Sequence, residues 1–203
     1  MRRAEESLLN NSPENSGDFV LLAPFTGPMV PLAQIPDPVF AEGMFGDGIG
    51  IDPLTGELLA PCDGVITHLA RTNHAVTLRT PQGAEILVHI GIDTVELAGR
   101  GFTPKVEQGA SVHAGQVLIE FDADHVAQNA PSLVSVIAVA NSDAFEVVER
   151  AGQGMLTAGV SRLLVLRAKN GAKADAARSD SNFTEEARRN VTLGHAGGLH
   201  ARP

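Results

Sequence analysis

The chain has 203 residues, 43% of them apolar, which is enough to bury one substantial core, so a single domain of about 150 residues with tails is expected. Its formal net charge of −9, with no basic run and neither Tyr nor Trp to stack on bases, argues against nucleic acid and for partners with basic surfaces. A lone Cys62 excludes an internal disulfide and leaves any cysteine-based zinc site incomplete, which fits a reducing cytoplasm.

Residues 1–18 begin with Met1, Arg2 and Arg3 but continue polar and acidic, without the apolar stretch of a signal peptide, and read as a flexible leader. No later run approaches the roughly 18 apolar residues needed to span a bilayer, so no stable membrane insertion is expected. Strand-like text starts at Phe19. The segment LLAPFTGPMVPL at 21–32 recurs as LLAPCDGVITHL at 58–69, which predicts two similar hairpin corners packed in one body. Asp47-Gly48, Thr55-Gly56, Asp63-Gly64 and Gln82-Gly83 each lie between apolar runs and read as turns. Strands are predicted at 116–121, 133–140 and 162–168, and short helices at 124–130 and 143–151. So many short strands predict an all-β chain, a compact antiparallel β-sandwich or barrel-sandwich hybrid with a few short helices. From 169 to 190 the text is mixed in charge and has no apolar stripe, as in a linker, and strand-like text resumes at Val191.

Two of the seven histidines, His74 and His89, lie within β-like runs; His68, His113, His125 and His195 read as ordinary surface residues. A symmetric hairpin centred between Pro81 and Gln82 pairs Arg79 with Ala84, Val76 with Leu87, and His74 with His89, which sets the imidazoles face to face. A bulge at Gly83 slips the register by one and sends the rings to opposite faces. Two close imidazoles can bind a metal, run acid/base chemistry, or divide the roles of nucleophile and stabiliser of a transferred group. Thr72 stands two residues before His74, where its hydroxyl can orient that ring. Asp93 is placed to meet a partner's cation, and Ile86, Val88 and Ile90 are expected to keep the site dry.

The runs IPDPVFAEGMFGDGIGIDP (35–53), LLAPCDGVI (58–66), RTNHAVTL (71–78) and VHIGIDTVELAGRGF (88–102), continued by VEQGASVHAGQVLIEFD (106–122), resemble the glucose-type enzyme IIA domains of the bacterial sugar phosphotransferase system. The resemblance covers 19–168 and implies a phosphohistidine carrier that takes a phosphoryl group from HPr and passes it to the enzyme IIB part of a permease for glucose or N-acetylglucosamine. It further implies that His89 carries the group on Nε2 with Nδ1 held by a backbone carbonyl, that His74 donates to the phosphoryl oxygens, and that Thr72 orients His74. Asp37 and Asp93 match acidic positions beside the family's site, and Val39, Phe40, Met44 and Phe45 its apolar docking ring. The final VTLGHAGGLHARP (191–203) is similar to the start of HPr, with His200 as its carrier histidine and Arg202 as the group steadying the phosphoryl. The chain is therefore expected to be part of a fusion, with enzyme I as a further partner in the same polypeptide.

Rival readings are weaker. No cofactor is required, although zinc at His74 and His89 is an alternative if a partner lends a carboxylate, which would make the site a regulatory binding module. A zinc hydrolase of related fold needs about three protein ligands and lacks its H-x-H element here. A biotinyl or lipoyl carrier needs a lysine at the turn 112–116, which holds His113 and Ala114 instead.

Overall fold

A computed structural model describes residues 17–169. The strands run β1 (Asp18–Leu22), β2 (Gly27–Val30), β3 (Asp47–Ile51), β4 (Glu57–Leu59), β5 (Gly64–Leu69), β6 (Ala75–Arg79), β7 (Glu85–His89), β8 (Phe102–Pro104), β9 (Ser111–Val112), β10 (Val117–Phe121), β11 (Ser135–Val139), β12 (Phe145–Arg150), β13 (Met155–Leu156) and β14 (Arg162–Ala168). Two short helices, α1 (Pro38–Ala41) and α2 (Ala123–Asn129), interrupt them. All pairing between these strands is antiparallel, in an eight-stranded sheet of order β13-β2-β3-β11-β7-β6-β5-β9 and two three-stranded sheets, β1-β14-β12 and β4-β10-β8. The expected all-β sandwich is what the chain forms.

The repeated segments fold as the repeat predicts. Leu22 N–H donates to Pro61 O at 2.8 Å, and Leu59 N–H, the matching atom of the second copy, donates to Pro24 O at 2.9 Å. Gly159 N–H reaches Ala23 O as Gly115 N–H reaches Ala60 O. Gly27 pairs with Leu156 as Gly64 pairs with Val112. Each copy thus supplies the other's missing backbone partners, which is how two proline-containing corners are buried without orphaned polar groups.

Three local expectations are corrected. Residues 143–151 hold strand β12 instead of a helix, because Phe145, Val147 and their neighbours pair with β14, and a bulge between Val147 and Glu149 accommodates the exposed Val148. Tertiary pairing overrides the helix-forming Glu and Ala of that stretch. Asp47-Gly48 opens β3 and is no turn; Gly48 is needed because a Cβ there would stand 2.1 Å from Ile137 O on the neighbouring strand. Finally, β1 begins at Asp18, one residue inside the predicted leader, with its carboxylate on Arg167 of β14 at 2.7 Å. Residues 1–16, the linker from 170 onward, His195 and the segment 191–203 with His200 and Arg202 lie outside the described residues. Lys169, the predicted linker's first residue, still bonds Ala144 O through its N–H. Among the described residues no helix is long and apolar enough to cross a membrane.

The eight-stranded sheet buries both faces. Ile86, Val88 and Ile90 join Ile137, Val139, Leu21, Phe25 and Leu58 in the main core. Alternation sends Leu87, Val136 and Ala138 to the other face, where Ile35, Phe40, Ala75 and Ile92 complete a second, smaller cluster.

Candidate functional site

The second face carries the histidine pair. The β6–β7 register is Ala75 opposite His89 and Arg79 opposite Glu85, one residue off the symmetric count. Thr80-Pro81-Gln82-Gly83 is a turn closed by Gly83 N–H to Thr80 O at 2.9 Å, and Gly83 at φ 93° forms the bulge, giving a three-residue loop. The pairing of His74 with His89 is thereby corrected. The rings nevertheless meet, with centroids 4.8 Å apart and planes at 71°. They meet because His74 lies before β6, in a turn where Asn73 adopts φ 56°, so strand alternation does not govern it. His74 still anchors to β7 through its own carbonyl, which accepts Ile90 N–H at 2.8 Å.

His89 ends β7, and its Nδ1 lies 2.8 Å from Gly91 O. A carbonyl oxygen only accepts, so Nδ1 carries the hydrogen and Nε2 presents a lone pair. Thr72 Oγ1 stands 2.6 Å from His74 Nδ1, within hydrogen-bond distance of that ring. Burial, reinforced by the neighbouring His89 and His68 imidazoles, pushes the His74 pKa down to about 3. Burial lowers the pKa of His89 as well, against the opposing pull of the Gly91 carbonyl and of Asp37 and Asp93. At neutral pH both rings are uncharged.

The remaining predicted residues surround the pair. Phe40 is buried with its ring 5.3 Å from that of His89, and Phe45 lies 5.2 Å from Phe40. Val39 is half-buried and Met44 is 65% exposed. Asp37 caps α1 by accepting Val39 N–H at 2.7 Å, and Pro38 stands at the helix start, where its missing donor does no harm. Asp93 is exposed in the left-handed region at φ 55°. Ile86, Val88 and Ile90, expected beside the histidines, instead face the main core; Leu87, Ala75 and Val136 line the histidine side. Sequence reasoning left His68 on the surface, yet it is half-buried in β5 and acts electrostatically on His74. It also left the holding carbonyl unnamed, and this is Gly91. Among the described residues no group of three or more His, Cys, Asp or Glu gathers to hold a metal.

An uncharged imidazole with a fixed tautomer and a free Nε2, next to a second imidazole and ringed by apolar and acidic groups, is suited to carrying an electrophilic group and handing it on. The family described as the phosphoenolpyruvate-dependent sugar phosphotransferase system, EIIA 1, matches residues 19–145. The chain belongs to this EIIA family. It is 42% identical over 143 residues to the glucose-specific EIIA component of Staphylococcus epidermidis, covering 70% of this chain and 86% of that protein. It is also 42% identical over 147 residues to the N-acetylglucosamine-specific EIICBA component of Escherichia coli, covering 72% of this EIIA and 23% of that longer protein. Among solved structures, the glucose permease IIA from Mycoplasma capricolum superposes with a TM-score of 0.69 at 35% identity, over 73% of this chain and 95% of that one. This EIIA is a phosphocarrier of the sugar phosphotransferase system, a phosphotransferase acting through a phosphohistidine intermediate.

Proposed function

We propose that His89 Nε2 accepts the phosphoryl group from HPr and passes it on to the EIIB part of a sugar permease. The observation that carries this reading is the 2.8 Å contact between His89 Nδ1 and Gly91 O, which leaves Nε2 as the nucleophilic nitrogen. The Nε2 lone pair forms the new P–N bond as the donor's P–N bond breaks, and the donor imidazole leaves with its electron pair. His74, oriented by Thr72, donates a hydrogen bond to the phosphoryl oxygens. Val39, Phe40, Met44 and Phe45 form the docking ring, and Asp37 and Asp93 meet a partner's basic groups. No cofactor is invoked, and the site of action is the cytoplasm. An EIIB acceptor is supported by relatives in which the EIIA is joined to EIICB components, named for glucose in one and N-acetylglucosamine in another. Sequence likeness alone supports reading 191–203 as the start of an HPr-like segment carrying His200 and Arg202, joined by the linker 169–190.

The test is incubation with phosphorylated HPr, mapping of acid-labile phosphate, and a chase with permease and sugar. His89→Gln should take up nothing. His74→Gln keeps a donor and should still be labelled, with onward transfer slowed by up to on the order of 10²-fold. Label retained in His89→Gln and lost in His74→Gln would reverse the two roles.

A further inference from the structure

The tautomer of His89 depends on one carbonyl, Gly91 O, and the peptide unit just before that carbonyl is held by two buried hydroxyl groups. Gly91 sits at φ 64°, a left-handed conformation, and a Cβ there would lie 2.8 Å from Thr94 Cγ2 and 2.9 Å from Ser132 O. The peptide unit just before it is gripped at both ends. Its carbonyl, Ile90 O, accepts the Thr94 hydroxyl at 2.6 Å, and its N–H, on Gly91, donates to Ser135 Oγ at 3.1 Å. Ser135 Oγ spends its own hydrogen on Leu133 O at 2.9 Å, so its lone pairs face Gly91. The following peptide unit is gripped likewise: Ile92 N–H donates to Ser132 O at 2.9 Å, and Gly91 O is left to accept from His89. Thr94 and Ser135 are both wholly buried. Neither hydroxyl reaches the imidazole, and neither is needed to complete a strand: Thr94 stands in the 3-10 turn after β7, and Ser135 opens β11.

We propose that Ser135 and Thr94 are positioning residues for phosphoryl transfer, locking the Ile90–Gly91 peptide so that Gly91 O stays on His89 Nδ1 and Nε2 remains the nucleophile. The inference rests on the reading of His89 as the phosphorylated residue. Glycine populates both signs of φ, so Gly91 itself does not fix its flanking peptides, and the two hydroxyl bonds, with the Ser132 contact and the His89 ring, oppose their flipping. Loss of Ser135 Oγ leaves Gly91 N–H buried and unpaired, so the peptide turns to find another acceptor, and the carbonyl that follows it moves off the ring.

The experiment uses the full chain and two readouts. Nitrogen NMR of labelled histidines reports which ring nitrogen of His89 bears the hydrogen, and uptake from phosphorylated HPr reports the rate. The parent should show the Nδ1–H form alone. Ser135→Ala should show a mixture of tautomers and a fall in uptake on the order of ten- to a hundredfold, as misplacement of a reacting group produces. Ser135→Thr, which restores the hydroxyl, should recover both. Thr94→Val, which keeps the shape and loses the donor, gives the same test from the other end of the peptide and serves if Ser135→Ala does not fold. A merely structural hydroxyl would lower the melting temperature without moving the tautomer, and an unmixed Nδ1–H signal with parental uptake in folded Ser135→Ala and Thr94→Val would overturn the proposal. If phosphate maps to a residue other than His89 while the tautomer still shifts, the phosphorylation site is wrong and the clamp on Gly91 stands.

Discussion

At the scale of single residues, two buried imidazoles kept uncharged have a cost that appears with pH. The ordinary value for His74 is 6.5, and in the fold it is pushed down to about 3. Between those values the unfolded chain holds a proton that the folded chain refuses, so stability rises with pH across this window and is lost as pH falls through it. His89, also lowered, adds to the same trend. We expect urea midpoints to be flat above about pH 7 and to drop steadily below it, with His74→Gln giving a shallower decline. A decline of unchanged steepness in that variant would show that His74 is not the group refusing the proton. Thr72 offers a separate measurement. Its hydroxyl supplies one hydrogen bond to His74 Nδ1, and Thr72→Val removes it at nearly constant shape, so onward transfer should slow by up to about tenfold, the worth of one such bond, while label still enters.

At the scale of elements, the β6–β7 hairpin shows what could be read from the chain and what could not. Proline at the second position of Thr80-Pro81-Gln82-Gly83 and glycine at the fourth announce the turn, and the alternation on either side announces the strands. The register hangs on one backbone angle, φ 93° at Gly83, which a residue pattern does not encode when two loop lengths are both compatible with it. The meeting of His74 and His89 was legible for a different reason than the pairing count supplied: it follows from the family-like run around each histidine and is made by the turn at Asn73, not by strand alternation. The dry lining of the site was misread for a different cause: side chains alternate along β7, so Ile86, Val88 and Ile90 face away from His89 whatever the register. The short helix α1 escaped notice because four residues carry no periodicity, although Asp37 before Pro38 is a sound capping signal. Gly83→Ala tests the bulge. Space is ample, the nearest atom to the new Cβ being Phe145 Cζ at 4.0 Å, so the loss should come from the backbone angle alone and amount to roughly 1 kcal/mol in chemical denaturation. Gly83→Asn should lose less, because asparagine tolerates that region. Equal losses for both would point away from the bulge.

At the scale of the whole molecule, the eight-stranded sheet separates what holds the fold from what serves the site. The main core lies on one face and is built by the two repeated corners and the sheets they connect, while the histidines and the Phe40 cluster lie on the other. Adjacent residues of β11 divide between the two. Val136 stands opposite His89 across the β11–β7 pairing and belongs to the smaller cluster, and Ile137 belongs to the main core; both are wholly buried. Ile137→Ala should therefore cost about 2–5 kcal/mol, the range for emptying a packed core position, yet leave uptake per folded molecule near the parental value. Val136→Ala removes less volume and should cost roughly 2 kcal/mol, but it takes away the side chain across from His89. Uptake should then fall several-fold beyond what unfolding explains, because the imidazole gains room to tilt off Gly91 O and the approach geometry at Nε2 loosens. Stability from urea titration and uptake at a concentration where each variant is fully folded separate the two effects. Val136→Ala with parental uptake, or Ile137→Ala with uptake as low as that of Val136→Ala, would show that the two faces of the sheet are not independent.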